Sequence, residues 1–148
     1  MVKMNASMKA LIKKKHGKET INLYYYCKNI VSKTVCLNDC VLYDEHHVWE
    51  ENEITWDFVQ KVHQDWTGFE VSQNEILIPK LLFQEDHVFK FLSELRSQLE
   101  QKYPLKKFCI IMAYGDRRLL RFHTFREKEG VWLSPEIEKY KNPVLYDL

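Results

Sequence analysis

Seven consecutive residues, Phe108-Cys109-Ile110-Ile111-Met112-Ala113-Tyr114, carry no charge. A strand with one wet face alternates apolar and polar residues, so an unbroken apolar run marks a strand covered on both faces. The chain must therefore supply a layer on each side of a sheet. Gly115-Asp116 follows, and a second β-prone run extends from Arg117 to Arg126. There Leu120, Phe122 and Thr124 share one face, while Leu119, Arg121, His123 and Phe125 share the other. A Gly-x pair between two such runs predicts a two-residue type II′ hairpin.

A covering layer is written just upstream. From Gln84 to Tyr103, Val88, Leu92, Leu95, Leu99 and Lys102 trace one helical stripe, widened by Phe91. Glu85 and Asp86 load the positive end of the helix dipole, Lys102 the negative end, and Pro104 stops the helix. Burying Val88, Leu92, Leu95 and Leu99 contributes about 6–12 kcal/mol. The surface pairs Asp86–Lys90 and Arg96–Glu100 add only about 0.3–0.5 kcal/mol each. Packing decides this helix.

A shorter helix is predicted over Glu53 to Trp66, where Trp56, Val59, His63 and Trp66 recur at helical spacing beside Phe58 and Val62. Asn52 is its candidate N-cap, and Gly68 stands where a C-cap glycine belongs. Thr20 to Leu37 alternates at Ile21, Leu23 and Tyr25 and predicts one or two strands. Cys40 to Trp49 reads as a further strand, and Phe69 to Pro79 as strand or loop with Ile76-Leu77-Ile78 its most buried part. Met1 to Lys18 carries six lysines and no acid, which predicts a basic arm, frayed or briefly helical. The tail holds Trp132, a Ser134-Pro135 helix start, Tyr140 and Pro143-Val144-Leu145-Tyr146. With 148 residues, the whole chain reads as one α+β domain. Its expected architecture is a mainly antiparallel sheet with a long helix (about 84–103) and a shorter one (about 53–66) packed on it.

Most chemistry is excluded by spacing. Cys27, Cys36, Cys40 and Cys109 include no pair two residues apart and read as reduced structural cysteines, as in a cytoplasmic protein. The longest apolar run of the basic arm is Ala10-Leu11-Ile12, too short for a signal peptide, and no stretch is long enough to span a membrane. Gly17, Gly68, Gly115 and Gly130 never cluster into a phosphate cradle, so no nucleotide cofactor is expected. Asp44-Glu45-His46-His47 offers four potential ligands in a row, but neighbouring strand residues point to opposite faces, so no metal site is expected. No serine sits in a Gly-x-Ser-x-Gly elbow, and no local feature activates a thiolate. Nothing here reads as an enzyme.

Charge layout says more. A net charge of +1 exerts no global pull on nucleic acid. Yet Thr34 to Gln60 contains no Lys or Arg, while Asp39, Asp44, Glu45, Glu50, Glu51, Glu53 and Asp57 are all acidic and Trp49 and Trp56 are interleaved. Lys102, Lys106, Lys107, Arg117, Arg118, Arg121, Arg126 and Lys128 make the opposite end basic. Tryptophan among acids suits a contact surface, because tryptophan is enriched where binding energy concentrates. Asp44, Glu45, Trp49, Glu50, Glu51, Glu53, Trp56 and Asp57 are the expected partner contacts. The alternative is a small RNA-binding module using the 117–126 hairpin, with Arg117, Arg118, Arg121 and His123 for charge and Phe125 for stacking.

The pattern Leu120-Arg121-Phe122-His123, Arg126, Trp132-Leu133, Tyr140 and Pro143-Val144-Leu145 resembles the tails of small bacterial immunity proteins. Those are encoded beside polymorphic or contact-dependent growth inhibition toxins. The resemblance implies a non-enzymatic, cytoplasmic protein without cofactors that binds and blocks a cognate toxin C-terminal domain, in some systems a nuclease. Neither membrane nor nucleic acid is an expected partner.

Overall fold

The computed structural model describes residues 1–14, 20–49 and 53–148. In chain order it contains β1 (Val2–Met4), α1 (Ala6–Ile12), α2 (Leu23–Ser32), β2 (Thr34–Leu37), β3 (Cys40–Tyr43), α3 (Trp56–Val62), α4 (Trp66–Gln73), β4 (Ile76–Leu77), α5 (Glu85–Lys102), β5 (Phe108–Tyr114), β6 (Arg118–Thr124) and β7 (Val144–Asp147). Short 3-10 turns lie at Lys80–Phe83 and Ile137–Lys139. The architecture is α+β. A five-stranded antiparallel sheet runs β1-β7-β5-β6-β4, and β2 and β3 form a separate hairpin.

The apolar run is the middle strand of that sheet and is buried on both faces, as its composition demands. Phe108, Ile110 and Met112 pack into the main core with Val88, Phe91, Leu92, Leu95 and Leu99 of α5. Cys109 and Ile111 face a second cluster with Leu133, Val144 and Tyr146, which the tail closes through Ile137 and Tyr140. Arg96, expected as a surface partner of Glu100, does more than that. Its guanidinium donates to Asp147 Oδ2 at 3.0 Å, the Asp147 carbonyl at 2.9 Å and the Phe108 carbonyl at 2.9 Å, which clamps α5 to β5 and β7.

Several expectations are corrected by packing. Residues 20–37 do not begin as a strand: Asn22 accepts the Tyr25 N–H at 3.2 Å and starts α2, which buries Cys27, Ile30 and Val31. Those three lie at helical spacing and pack toward α5, so burial outweighs the β propensity of the Tyr-rich start. Only Thr34–Leu37 is strand. The single helix expected over 53–66 is two. Thr55 caps α3, His63 is extended at φ −128° and ψ 158°, and Asp65 opens α4 by accepting the Gly68 N–H at 2.7 Å. Gly68 therefore lies in the first turn of a helix rather than past the end of one, and residues to Gln73 are helical. The proposed cap Asn52 lies outside the described residues.

The hairpin also differs. Tyr114 pairs with Arg118, so three residues make the loop, and Gly115 has no positive φ. Glycine serves space there, since a Cβ would come within 2.8 Å of Asn142 Nδ2. The basic arm is part of the fold through Lys14. β1 pairs with β7, α1 buries Met8 and Ile12, and buried Asn5 ties them together. Asn5 Oδ1 accepts the N–H groups of Met8 (2.9 Å) and Val144 (3.1 Å), while Nδ2 donates to the Tyr140 and Asn142 carbonyls.

Candidate functional site

The β2–β3 hairpin joins the main sheet through two side chains one helical turn apart, Glu70 on α4 and Asn74 capping its C-terminus. Glu70 Oε1 accepts from Val41 N–H (3.1 Å) on β3 and from Thr124 N–H (2.9 Å) and Oγ1 (2.8 Å) on β6. Asn74 accepts the Tyr43 N–H at 2.6 Å and donates to the Val41 and Phe122 carbonyls at 2.7 and 3.0 Å. Together they fill the gap between two strand edges as a missing strand would. Glu70 is fully buried, and its other oxygen lies 2.7 Å from Arg126 Nη2. Burial pushes the Glu70 carboxyl above the usual carboxylate range, against the pull of Arg126 and the Thr124 donors. The strand-or-loop reading of Phe69 to Pro79 hid this bridge, because the i,i+4 spacing of Glu70 and Asn74 carries meaning only on a helix.

On that foundation α4 carries α3. Val59 is the buried residue of α3, while Trp56, Phe58 and Val62 remain 40%, 47% and 68% exposed. The Trp56 ring lies 5.2 Å from Trp66, and Phe58, His63 and Trp49 set their ring edges around Phe69. Beside α3 runs a cleft of about 570 Å³ lined by Val62, His63, Ser72, Glu75, Arg121 and Trp132, among others. Its far wall is Trp132, with the Arg121 guanidinium 5.8 Å from the indole centroid.

The expected contact residues separate. Glu53, Trp56 and Asp57 are exposed at and around the start of α3. Asp44 is not a surface contact. It is buried and accepts the Val48 and Trp49 N–H groups at 2.7 and 3.1 Å, so it shapes the turn after β3. Trp49 is half-buried against Phe69, Glu45 is exposed with Lys33 at 3.7 Å, and Glu50 and Glu51 lie outside the described residues. Phe58, Val62 and Trp132 belong to this surface although sequence reasoning placed them in helix or tail only.

Folding also pairs much of the basic end with carboxylates, one of them from the acidic run. Asp39 meets Lys106 and Arg126, and Glu75 holds Arg117 at 2.8 Å and Arg121 at 3.3 Å. Three of the hairpin arginines thus have carboxylate partners within the fold, and the Phe125 ring is covered by Lys107.

Chemical groups near the cleft are committed to structure. Ser72 Oγ lies 3.3 Å from His63 Nε2 but donates to the Phe69 carbonyl at 2.7 Å. At the start of α4, Glu129 accepts the Trp66 and Thr67 N–H groups and Asp65 accepts that of Gly68, so these amides are not offered to an oxyanion. Burial pushes the thiols of Cys27, Cys40 and Cys109 up to about 12. Cys36, expected with the other three to be a structural cysteine, is exposed. Among the described residues, no group of three or more His, Cys, Asp or Glu could hold a metal, and no helix is long and apolar enough to cross a membrane.

Residues 3–148 match the model of the Uncharacterized protein PM0498 family. The chain belongs to that family. Its PM0498 match runs from within β1 to the residue after β7, so the α3 face, the cleft and the α4 bridge all fall inside it. Neither a curated protein nor a solved structure matches the chain.

Proposed function

We propose that this protein is a non-enzymatic interaction protein that binds a protein partner through α3 and the surface around it. In its most specific form it is a cytoplasmic immunity protein that binds and blocks a cognate bacterial toxin domain. The observation carrying this reading is the exposure of Trp56, Phe58 and Val62 on one seven-residue helix with a single buried residue. Trp56 and Phe58 rest on Trp66 and Phe69 yet keep 40% and 47% of their surface in water, and large apolar side chains so exposed beside Val62 offer surface to an interface. Glu53 and Asp57 form an acidic rim that steers a basic partner and sets its orientation. With Asp44 buried and Asp39 paired with Lys106 and Arg126, aromatic burial outweighs acidic mimicry of phosphates in this reading.

The test is binding and neutralisation of the toxin domain encoded beside the gene. Replacing Trp56 and Phe58 together by Ala is expected to weaken binding by at least about 2 kcal/mol, roughly 30-fold, with the fold retained. Unchanged affinity in the folded double variant removes α3 from the interface, and a neighbouring toxin that the protein neither binds nor blocks refutes the immunity reading.

A further inference from the structure

His123 is fully buried on β6, and its two ring nitrogens have different partners. Nδ1 lies 2.9 Å from the Thr124 carbonyl, which can only accept, and the Trp132 backbone N–H donates to Nε2 at 3.3 Å. These partners assign one species, the neutral ring with its proton on Nδ1. We propose that His123 is a proton-operated latch: neutral, it holds the Trp132 segment against β6, and protonated, it lets that segment go.

The chemistry follows from the acceptor. A second proton can enter only at Nε2, where it turns the acceptor for Trp132 into a donor. Two N–H groups then face each other, and the Trp132 contact must break. Around the ring, Arg126 opposes a new positive charge, while Asp65 at the start of α4 and Glu129 favour it. Opposite His123 on β5 stands Cys109, a neutral thiol, and Arg121, two residues along β6, is already paired with Glu75. Burial dominates and holds the ring's pKa below the ordinary histidine value, with the Thr124 bond acting against it. As pH falls the unfolded chain therefore takes the proton first. The stability due to this group is complete above about 6.5 and is lost as pH falls below it.

Release reaches the surface because Trp132 forms the far wall of the 570 Å³ cleft and carries Arg121 on its ring. The latch belongs to the free protein and does not depend on the partner reading. Hydrogen exchange and histidine ring shifts, followed by NMR on the full chain from neutral to acid pH, test it. After correction for intrinsic exchange, protection of the Trp132 amide is expected to fall about tenfold or more as the His123 ring titrates, while Ile110 and Ile111 on β5 stay protected. In His123→Gln, which keeps an acceptor but cannot titrate, Trp132 protection is expected to be independent of pH. Equal Trp132 protection on both sides of the ring titration overturns the proposal. So does a ring that gains its proton only when Ile110 and Ile111 lose protection, or the same acid loss in His123→Gln. Should that variant fail to fold, the wild-type titration decides alone.

Discussion

Glu70 is the residue on which the joint between the two sheets turns. One oxygen takes three donors from β3 and β6, and the other faces Arg126, with the Glu70 side chain itself out of solvent contact. Glu70→Ala removes those acceptors and leaves Arg126 beside an empty space with no buried counter-charge. A loss of about 3–5 kcal/mol is expected in urea unfolding, the scale for breaking one half of a buried pair. Glu70→Gln keeps an acceptor for the backbone donors but sets a neutral amide against the guanidinium, so a smaller loss is expected. Equal stability of Glu70→Ala and wild type contradicts the bridge. Asn74 shares the load, and its contacts alternate donor and acceptor along β3 and β6 as backbone pairing does.

At the scale of elements, α3 and α5 are opposites. α5 buries Val88, Phe91, Leu92, Leu95 and Leu99 and is anchored further by Arg96. Lys102, placed by sequence reasoning to offset its own helix dipole, instead donates to the Val31 and Thr34 carbonyls at 3.0 and 2.8 Å and binds α5 to the end of α2. α3 has one buried residue, Val59, and a row of exposed apolar ones. Its two kinds of valine should therefore respond differently. Val59→Ala is expected to cost about 2 kcal/mol of stability. Val62→Ser is expected to stay within about 0.5 kcal/mol of wild type in the same denaturation and to weaken partner binding instead. Comparable stability losses at both positions would show α3 to be ordinary core helix.

For the whole molecule, the decisive fact is how the charges are distributed after folding. Asp39 of the acidic run, with Glu70 and Glu75 from beyond it, neutralises Lys106, Arg117, Arg121 and Arg126 of the basic end. Few phosphates could be neutralised by what remains of the hairpin. Single-stranded RNA is therefore expected to bind no more tightly than about 10⁻⁴ M at physiological salt, measured by fluorescence anisotropy. Micromolar binding that falls steeply with salt and weakens in Arg117→Ala with Arg118→Ala would instead favour the RNA-binding alternative.

The sequence by itself determined the parts whose burial is complete. The apolar run at 108–114 had to be a doubly covered strand, and the Val88-Leu92-Leu95-Leu99 stripe had to be a long helix, because one packing direction satisfies every residue in each. The acids Glu53 and Asp57 were legible as surface because carboxylates keep their water, whereas Trp56 between them also fell on the helical stripe and only the fold left it 40% exposed. Where a segment is half-buried, local preference and packing compete. Ile21, Leu23 and Tyr25 alternate like a strand, yet the chain is helical from Leu23 because α5 lies beside it, and 53–73 divides in two because Asp65 begins a second helix. The roles of Asp44, Glu70, Asn74 and His123 were decided only by the tertiary structure. A buried polar side chain is defined by the backbone groups it satisfies, and those come from β3, β6 and the Trp132 segment, remote in sequence and adjacent only after folding.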